Sequence, residues 1–132
     1  MDKIKLVAIL RGIQPAEAAD HIETLINAGF RYIEIPLNSP DWQQSIPAMV
    51  RQFGERAMIG AGTVLKVEQV DFLAEAGAKL IVTPNTAPAV IRRAVDKGML
   101  VCAGCATASE AFSAQDAGAQ WLKIFPSSAF GA

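Results

Sequence analysis

A lysine lies inside a short apolar stretch near the end of the chain. In WLKIFPSS, residues 121–128, Lys123 is flanked by Leu122 and Ile124. Lysine is among the side chains least often fully buried. Side chains alternate between the two faces of a strand, so Lys123 shares one face with Phe125 while its two neighbours take the other. The pattern predicts an amine that faces the protein interior.

A buried amine could act as a nucleophile. Burial lowers a lysine pKa from about 10.4 toward neutrality, and a wall such as Phe125 and Ile9 would supply part of that shift. A neutral lysine can form a Schiff base with a ketone. Glu34, between Ile33 and Ile35, is a carboxylate suited to moving the required protons. The alternative is a buried Lys123–Glu34 ion pair without chemistry, which usually gives no net gain over an apolar pair.

Glycines recur every 20 to 25 residues, each just before an apolar, strand-like run, at Gly29, Gly54, Gly77, Gly98 and Gly118. Glycine takes the left-handed conformation that ends a helix, and we expect it to do so at all five. Helix-length stretches with apolar residues three or four apart precede them. Pro47 is expected near a helix start or bend. With KLVAIL as the first strand, the sequence predicts six strands and five helices in alternation.

Strict alternation predicts parallel strands with helices outside, either as an open doubly wound sheet or as a (β/α)8 TIM barrel. The first loop, RGIQP, has no phosphate-binding glycine motif, which favours the barrel. Eight units of about 22 residues would need about 176, near the lower end for such barrels. We therefore expect one domain, residues 1–132, that is the N-terminal part of a barrel lacking its last two units.

Polar residues collect where the predicted strands end, which is where barrel enzymes keep their active sites. These are Arg11, Asn38, Thr63, Thr83, Asn85 and Thr107. Arg11 is either a surface residue or a fixed cation for a carboxylate or phosphate. We expect Glu34 and Lys123 to point inward, and Ile33, Ile35, Leu122 and Ile124 to point toward the helices.

Two cysteines form a single CxxC, Cys102 and Cys105. They are either a redox pair, half of a metal site, or two small apolar strand residues, and the last is favoured. The only histidine is His21, so cysteine and histidine alone cannot complete a four-ligand zinc site, and we expect no metal. The formal net charge is −1, without a basic run, which argues against nucleic acid as a partner. Without an apolar stretch near 18 residues, we expect a cytoplasmic protein that does not enter membranes.

Several motifs together resemble the KDPG/KHG aldolase family along essentially the whole chain. They are LRG (10–12), IEIPLNSP (33–40), IGAGTVL (59–65), IVTPN (81–85), GCAT (104–107) and LKIFPSS (122–128). The resemblance is closest to the family's 2-dehydro-3-deoxy-6-phosphogalactonate branch. It implies a metal-independent, cofactor-free class I aldolase, commonly trimeric. Such an enzyme cleaves that sugar acid to pyruvate and glyceraldehyde 3-phosphate in galactonate degradation.

The resemblance also implies roles for individual residues. Lys123 matches the Schiff-base lysine, and Glu34 the general acid and base. Arg11 and Thr63 match substrate-binding positions, with Thr63 near the pyruvate carboxylate. Thr83, Pro84 and Phe125 match the walls of the pocket.

Two departures from the family pattern bear on function. The phosphogluconate branch carries an arginine where this chain has Asn38, which favours the phosphogalactonate substrate. The phosphate-binding loops of the family follow the seventh and eighth strands, so no phosphate cradle is assigned here. Two alternatives stay open: aldolase activity on the gluconate epimer, and a catalytically silent fragment that associates with other chains through unpaired sheet edges.

Overall fold

The computed structural model describes residues 5–131, and within them strands and helices alternate. The strands are β1 Val7–Ile9, β2 Tyr32–Pro36, β3 Met58–Gly62, β4 Leu80–Val82, β5 Leu100–Cys105 and β6 Trp121–Ile124. The helices are α1 Pro15–Asn27, α2 Trp42–Phe53, α3 Val67–Glu75, α4 Pro88–Asp96 and α5 Ala108–Asp116, followed by a 3₁₀ turn, Ser127–Phe130. The predicted six strands and five helices are confirmed.

All neighbouring strands pair in parallel, in the order β1-β2-β3-β4-β5-β6. The sheet is strongly curled. Tyr32 on β2 and Trp121 on β6 lie four strands apart, about 19 Å if the sheet were flat. Their ring centroids are 5.0 Å apart, in an edge-to-face contact. The described chain is therefore a curled half-barrel, with β1 and β6 as its two edges.

The hydrophobic core fills the space between the sheet and its helices. Ile33 and Ile35 of β2 are fully buried there, against apolar helix residues such as Ile22 and Ile46. Leu122 and Ile124 of β6 point to the same side, yet they remain 45% and 52% exposed. The helix-facing side is thus well covered at β2 and poorly covered at β6.

Most of the recurring glycines behave as predicted. Gly29, Gly77, Gly98 and Gly118 all take positive φ at the turn from helix to strand. The prediction was wrong for Gly54, which continues the right-handed conformation with a φ of −59°. There Arg56 and Ala57 instead donate backbone hydrogen bonds to Phe53, and this turn leads into β3. Pro47, expected near a helix start or bend, lies inside α2. No helix within residues 5–131 is long and apolar enough to cross a membrane.

Candidate active site

The register of the sheet brings Glu34 and Lys123 to its inner face. Glu34 pairs with Gly60, and Lys123 pairs with Gly104, and these pairs are linked through inward-facing residues of β4. Directly paired residues share a face, so both ionisable side chains point into the half-barrel, as the alternation predicts. The curl of the sheet also brings them near each other. The positive charge of Lys123 accordingly acts to lower the pKa of the Glu34 carboxyl.

Glu34 is a buried carboxyl with an unused acceptor. Its side chain is 2% exposed, and Oε2 has no hydrogen-bond partner among the described residues. Burial raises the pKa of Glu34 to about 7, against the opposing effect of the positive charges of Lys123 and then Arg11. A carboxyl of this pKa holds and releases a proton readily near neutral pH, which is what a general acid and base requires.

Lys123 is half-buried on β6, and its amine lies against an aromatic ring. Nζ is 4.6 Å from the centroid of the Phe125 ring, within the range of a cation–π contact. The predicted apolar wall therefore includes Phe125, whose own side chain is 43% exposed. Ile9 pairs with Glu34 across β1 and β2.

Arg11 and Thr63 lie in loops at the same end of the half-barrel. Arg11 is exposed after β1, and its charge reaches Glu34. The neighbouring Gly12 donates a backbone hydrogen bond of 3.0 Å to Oγ of the buried Ser39, which ties the Arg11 loop to the loop after β2. Thr63 follows β3 with a φ of +54°, a conformation that β-branched residues rarely adopt. Such strain is often found at functional sites.

Thr83 holds the loop after β4 in place. Its hydroxyl donates to the Asn85 carbonyl at 2.7 Å and accepts from the Gly104 amide at 3.2 Å. Thr86 donates to the Gly104 carbonyl at 2.6 Å. Pro84 packs directly over Gly104, the strand partner of Lys123. The loop therefore forms a wall next to Lys123, with the Thr83 hydroxyl occupied by the backbone.

Two of the polar strand-end residues have other surroundings. Thr107 caps α5, where its hydroxyl accepts a hydrogen bond from the Glu110 amide at 3.1 Å. This hydroxyl therefore serves the start of the helix rather than the candidate site. Asn38 is exposed in the loop after β2.

The CxxC motif is divided between the two faces of β5. Cys102 pairs with Trp121 on the inner face, whereas Cys105 pairs with Ile124 and is buried toward the helices. Both are free cysteines. Burial foremost raises the pKa of the Cys102 thiol. This geometry favours the interpretation as two strand residues.

Sequence reasoning missed Gly62, which lies beside the Glu34 carboxyl. A Cβ placed on Gly62 would overlap the carboxyl atoms of Glu34. The only signal in the sequence was the pair of glycines, Gly60 and Gly62, at alternate and therefore inward positions of β3.

Comparison with known proteins identifies the family of this chain. The model of the family described as KDPG and KHG aldolase matches residues 1–132. The chain belongs to this aldolase family. It is 67% identical over 129 residues to an Escherichia coli (strain K12) protein named 2-dehydro-3-deoxy-6-phosphogalactonate aldolase, a match that covers 98% of this chain and 63% of that protein.

Two solved structures superpose closely on this chain. The first, described as "Native KDPGal structure", has a TM-score of 0.96 at 66% identity, over 99% of this chain and 64% of the other. The second is a cube-shaped protein cage designed by fusing symmetric oligomeric domains, with the same TM-score and identity, over 98% of this chain and 48% of the other. The chain thus spans about three-fifths of the length of the related aldolase.

Proposed function

We propose that this protein is a class I aldolase that cleaves 2-dehydro-3-deoxy-6-phosphogalactonate to pyruvate and glyceraldehyde 3-phosphate. The observation that carries the proposal is the shared inner face of Lys123 and Glu34, with a buried carboxyl whose pKa is about 7. Family membership and the name of the Escherichia coli relative support the same reaction class and substrate. The proposal includes no metal and no cofactor.

The reaction begins at Lys123. Its neutral amine attacks the C2 ketone of the sugar acid, and loss of water gives an imine. The positively charged imine draws electrons from the C3–C4 bond as the proton leaves the C4 hydroxyl. Breaking this bond releases glyceraldehyde 3-phosphate and leaves the enamine of pyruvate on the lysine. Protonation of the enamine and hydrolysis of the imine then release pyruvate and regenerate the amine.

Glu34 moves the protons in these steps. It accepts the proton of the C4 hydroxyl during bond cleavage and returns a proton to the enamine afterwards. Its pKa of about 7 suits both directions, because the acid and the base are both populated near neutral pH. Oε2, which has no hydrogen-bond partner within residues 5–131, supports this role, since buried acceptors are normally hydrogen-bonded and a substrate hydroxyl would supply the bond.

The remaining site residues bind the substrate. Arg11 supplies a cation at the open end of the half-barrel, and Thr63 lies at the rim for the pyruvate carboxylate. Thr83 and Pro84 contribute through the loop that packs over Gly104. Phe125 supplies the aromatic wall of the Lys123 amine.

Asn38 favours the galactonate-derived substrate over its gluconate epimer, which is the second candidate. We also propose a homo-oligomer, a trimer by family resemblance, and a cytoplasmic location. The half-exposed Leu122 and Ile124 support the association of this sheet edge with additional polypeptide. They also support a third candidate, in which the 132-residue chain by itself is catalytically silent. That these residues are the first six units of an eight-unit barrel stays a prediction.

Steady-state cleavage of both epimers by the intact protein tests the proposal. Pyruvate release from the galactonate epimer should exceed that from the gluconate epimer. Lys123→Met should abolish release from both, because the apolar side chain keeps the length and loses the amine. Lys79→Met is the matched control, since Lys79 is exposed just before β4 at the opposite end of the sheet. Equal rates for Lys123→Met and the wild type would refute the lysine mechanism, and a preference for the other epimer would favour the second candidate.

A further inference from the structure

Gly62 ends β3 on the inner face of the sheet, two residues beyond Gly60, the strand partner of Glu34. Glu34 pairs with Gly60, and Pro36 pairs with Gly62, so the Glu34 side chain must lean along the strand direction to reach Gly62. A Cβ built on Gly62 would overlap atoms of the Glu34 carboxyl, and its three nearest heavy atoms would be Oε2, Cδ and Oε1 of that group. The carboxyl thus occupies the space that a side chain at position 62 would fill.

The backbone conformation does not by itself require glycine at this position. Gly62 is not among the residues with positive φ, so an alanine could adopt its backbone angles. Gly60, two residues earlier on the same face, provides a contrast. A Cβ there would meet the backbone carbonyl and Cβ of Leu80 on the neighbouring strand. Glycine at 60 therefore permits strand pairing, whereas the obstacle at 62 is the end of one side chain.

We propose that Gly62 is a positioning residue, which fixes the Glu34 carboxyl at the carboxyl end of β2 and β3 by leaving the space in which it lies. The proposal rests on the proposed role of Glu34 as general acid and base. The atoms that a methyl group at position 62 would meet first are the end of the Glu34 side chain, with no backbone atom among the three nearest. Such a methyl group would therefore displace the carboxyl rather than separate the strands.

A double-mutant cycle in the intact protein tests the proposal. Gly62→Ala should lower kcat by about 100-fold, because a shift of about 1 Å in a catalytic group can cost that much. It should leave the thermal midpoint within a few degrees of the wild type, because the flexible end of a side chain can yield. Gly60→Ala is the matched control, and it should lower the thermal midpoint much further because the Leu80 backbone cannot yield.

The second arm of the cycle uses Glu34→Asp, whose carboxyl is one methylene shorter and withdraws from position 62. Glu34→Asp will lower activity by itself. In that background, Gly62→Ala should cost less than about 3-fold in kcat, since the added methyl then fills vacated space. An equal loss in both backgrounds, a kcat retained in the single variant, or a Gly62→Ala protein that fails to fold would overturn the proposal.

A measurement without catalysis separates this inference from the proposed function. The carboxyl carbon of Glu34 can be followed by NMR during a pH titration of the wild type and of Gly62→Ala. A displaced carboxyl should titrate closer to an ordinary glutamate in the variant. Identical titration curves would overturn the positioning role. A shifted curve in a protein that cleaves neither epimer would keep the positioning role and refute the aldolase proposal instead.

Discussion

Replacing Glu34 by glutamine should stabilise the fold at neutral and alkaline pH while removing the proposed general base. The carboxyl is 2% exposed, and its folded pKa is raised from 4.5 to about 7, foremost by burial. Ionising this group therefore opposes folding. Glutamine has nearly the same shape and stays neutral at every pH, so the variant avoids that cost. A gain in stability with a loss of function is expected where an active site stores an unfavourable interaction.

The size of the effect follows from the difference between the two pKa values. From 4.5 to about 7 is about 2.5 units, which corresponds to about 3 kcal/mol at 1.36 kcal/mol per unit. Below pH 4.5 the carboxyl is protonated in both the folded and the unfolded state, so it contributes no pH dependence. Between pH 4.5 and 7 the unfolded state releases its proton first, and the wild type loses stability as the pH rises. Above pH 7 the full cost is present.

Urea unfolding of the wild type and of Glu34→Gln, at matched protein concentration from pH 4 to pH 9, measures this difference directly. The free energy of unfolding of the variant minus that of the wild type should rise by about 3 kcal/mol between pH 4.5 and 8. Titrations common to both proteins cancel in the difference. Glu55→Gln, at an exposed position after α2, is the control, and its difference should stay nearly flat.

A flat difference for Glu34→Gln would show that the carboxyl titrates alike in the folded and unfolded states, so that its burial has no cost. A wild type that is more stable than the variant at pH 8 would contradict the predicted stabilisation more strongly. In that case the attraction of Lys123 and Arg11 would outweigh burial, and Glu34 would be a structural ion-pair partner.

Three further predictions concern the surroundings of the site. Thr83→Val should destabilise the protein by about 2 kcal/mol in urea unfolding, because it removes the hydroxyl that accepts from the Gly104 amide and donates to the Asn85 carbonyl. An unchanged urea midpoint would contradict the stabilising role of these two hydrogen bonds. Iodoacetamide at pH 8 should alkylate Cys102 about tenfold more slowly than free cysteine, because burial raises its thiol pKa. Mass spectrometry of the labelled peptide gives the rate. An equal rate would contradict the burial of this thiol. The 132-residue chain alone should associate in sedimentation experiments through the exposed Leu122 and Ile124, and Ile124→Lys should weaken that association; a monomeric wild-type chain at high concentration would contradict it.

The alternating architecture could be predicted from sequence because its signals are local. Apolar spacing indicates the helices, and a glycine precedes each strand after the first. The two-residue period of strands also predicts that Glu34 and Lys123 face away from Ile33 and Leu122. These features depend on residues close together in the chain. They can therefore be predicted without knowledge of how the elements pack.

Other features depend on contacts between distant strands and could not be predicted. The hydroxyl of Thr83 is occupied by an amide 21 residues later in the chain. Gly62 matters through a side chain of β2 that leans across to it. The left-handed backbone of Thr63 also has no local signal, since threonine rarely adopts it. In each case the three-dimensional neighbour, rather than the residue type, determines what the position does.

The proposed mechanism requires the amine of Lys123 to form a covalent imine on the inner face of the sheet. Incubation of the intact protein with pyruvate and borohydride, followed by peptide mapping, detects such an imine as a reduced adduct. We expect one adduct, on the peptide that contains Lys123, and none in Lys123→Met. Absence of an adduct on the wild type, or an adduct on another lysine such as Lys79, would contradict the mechanism.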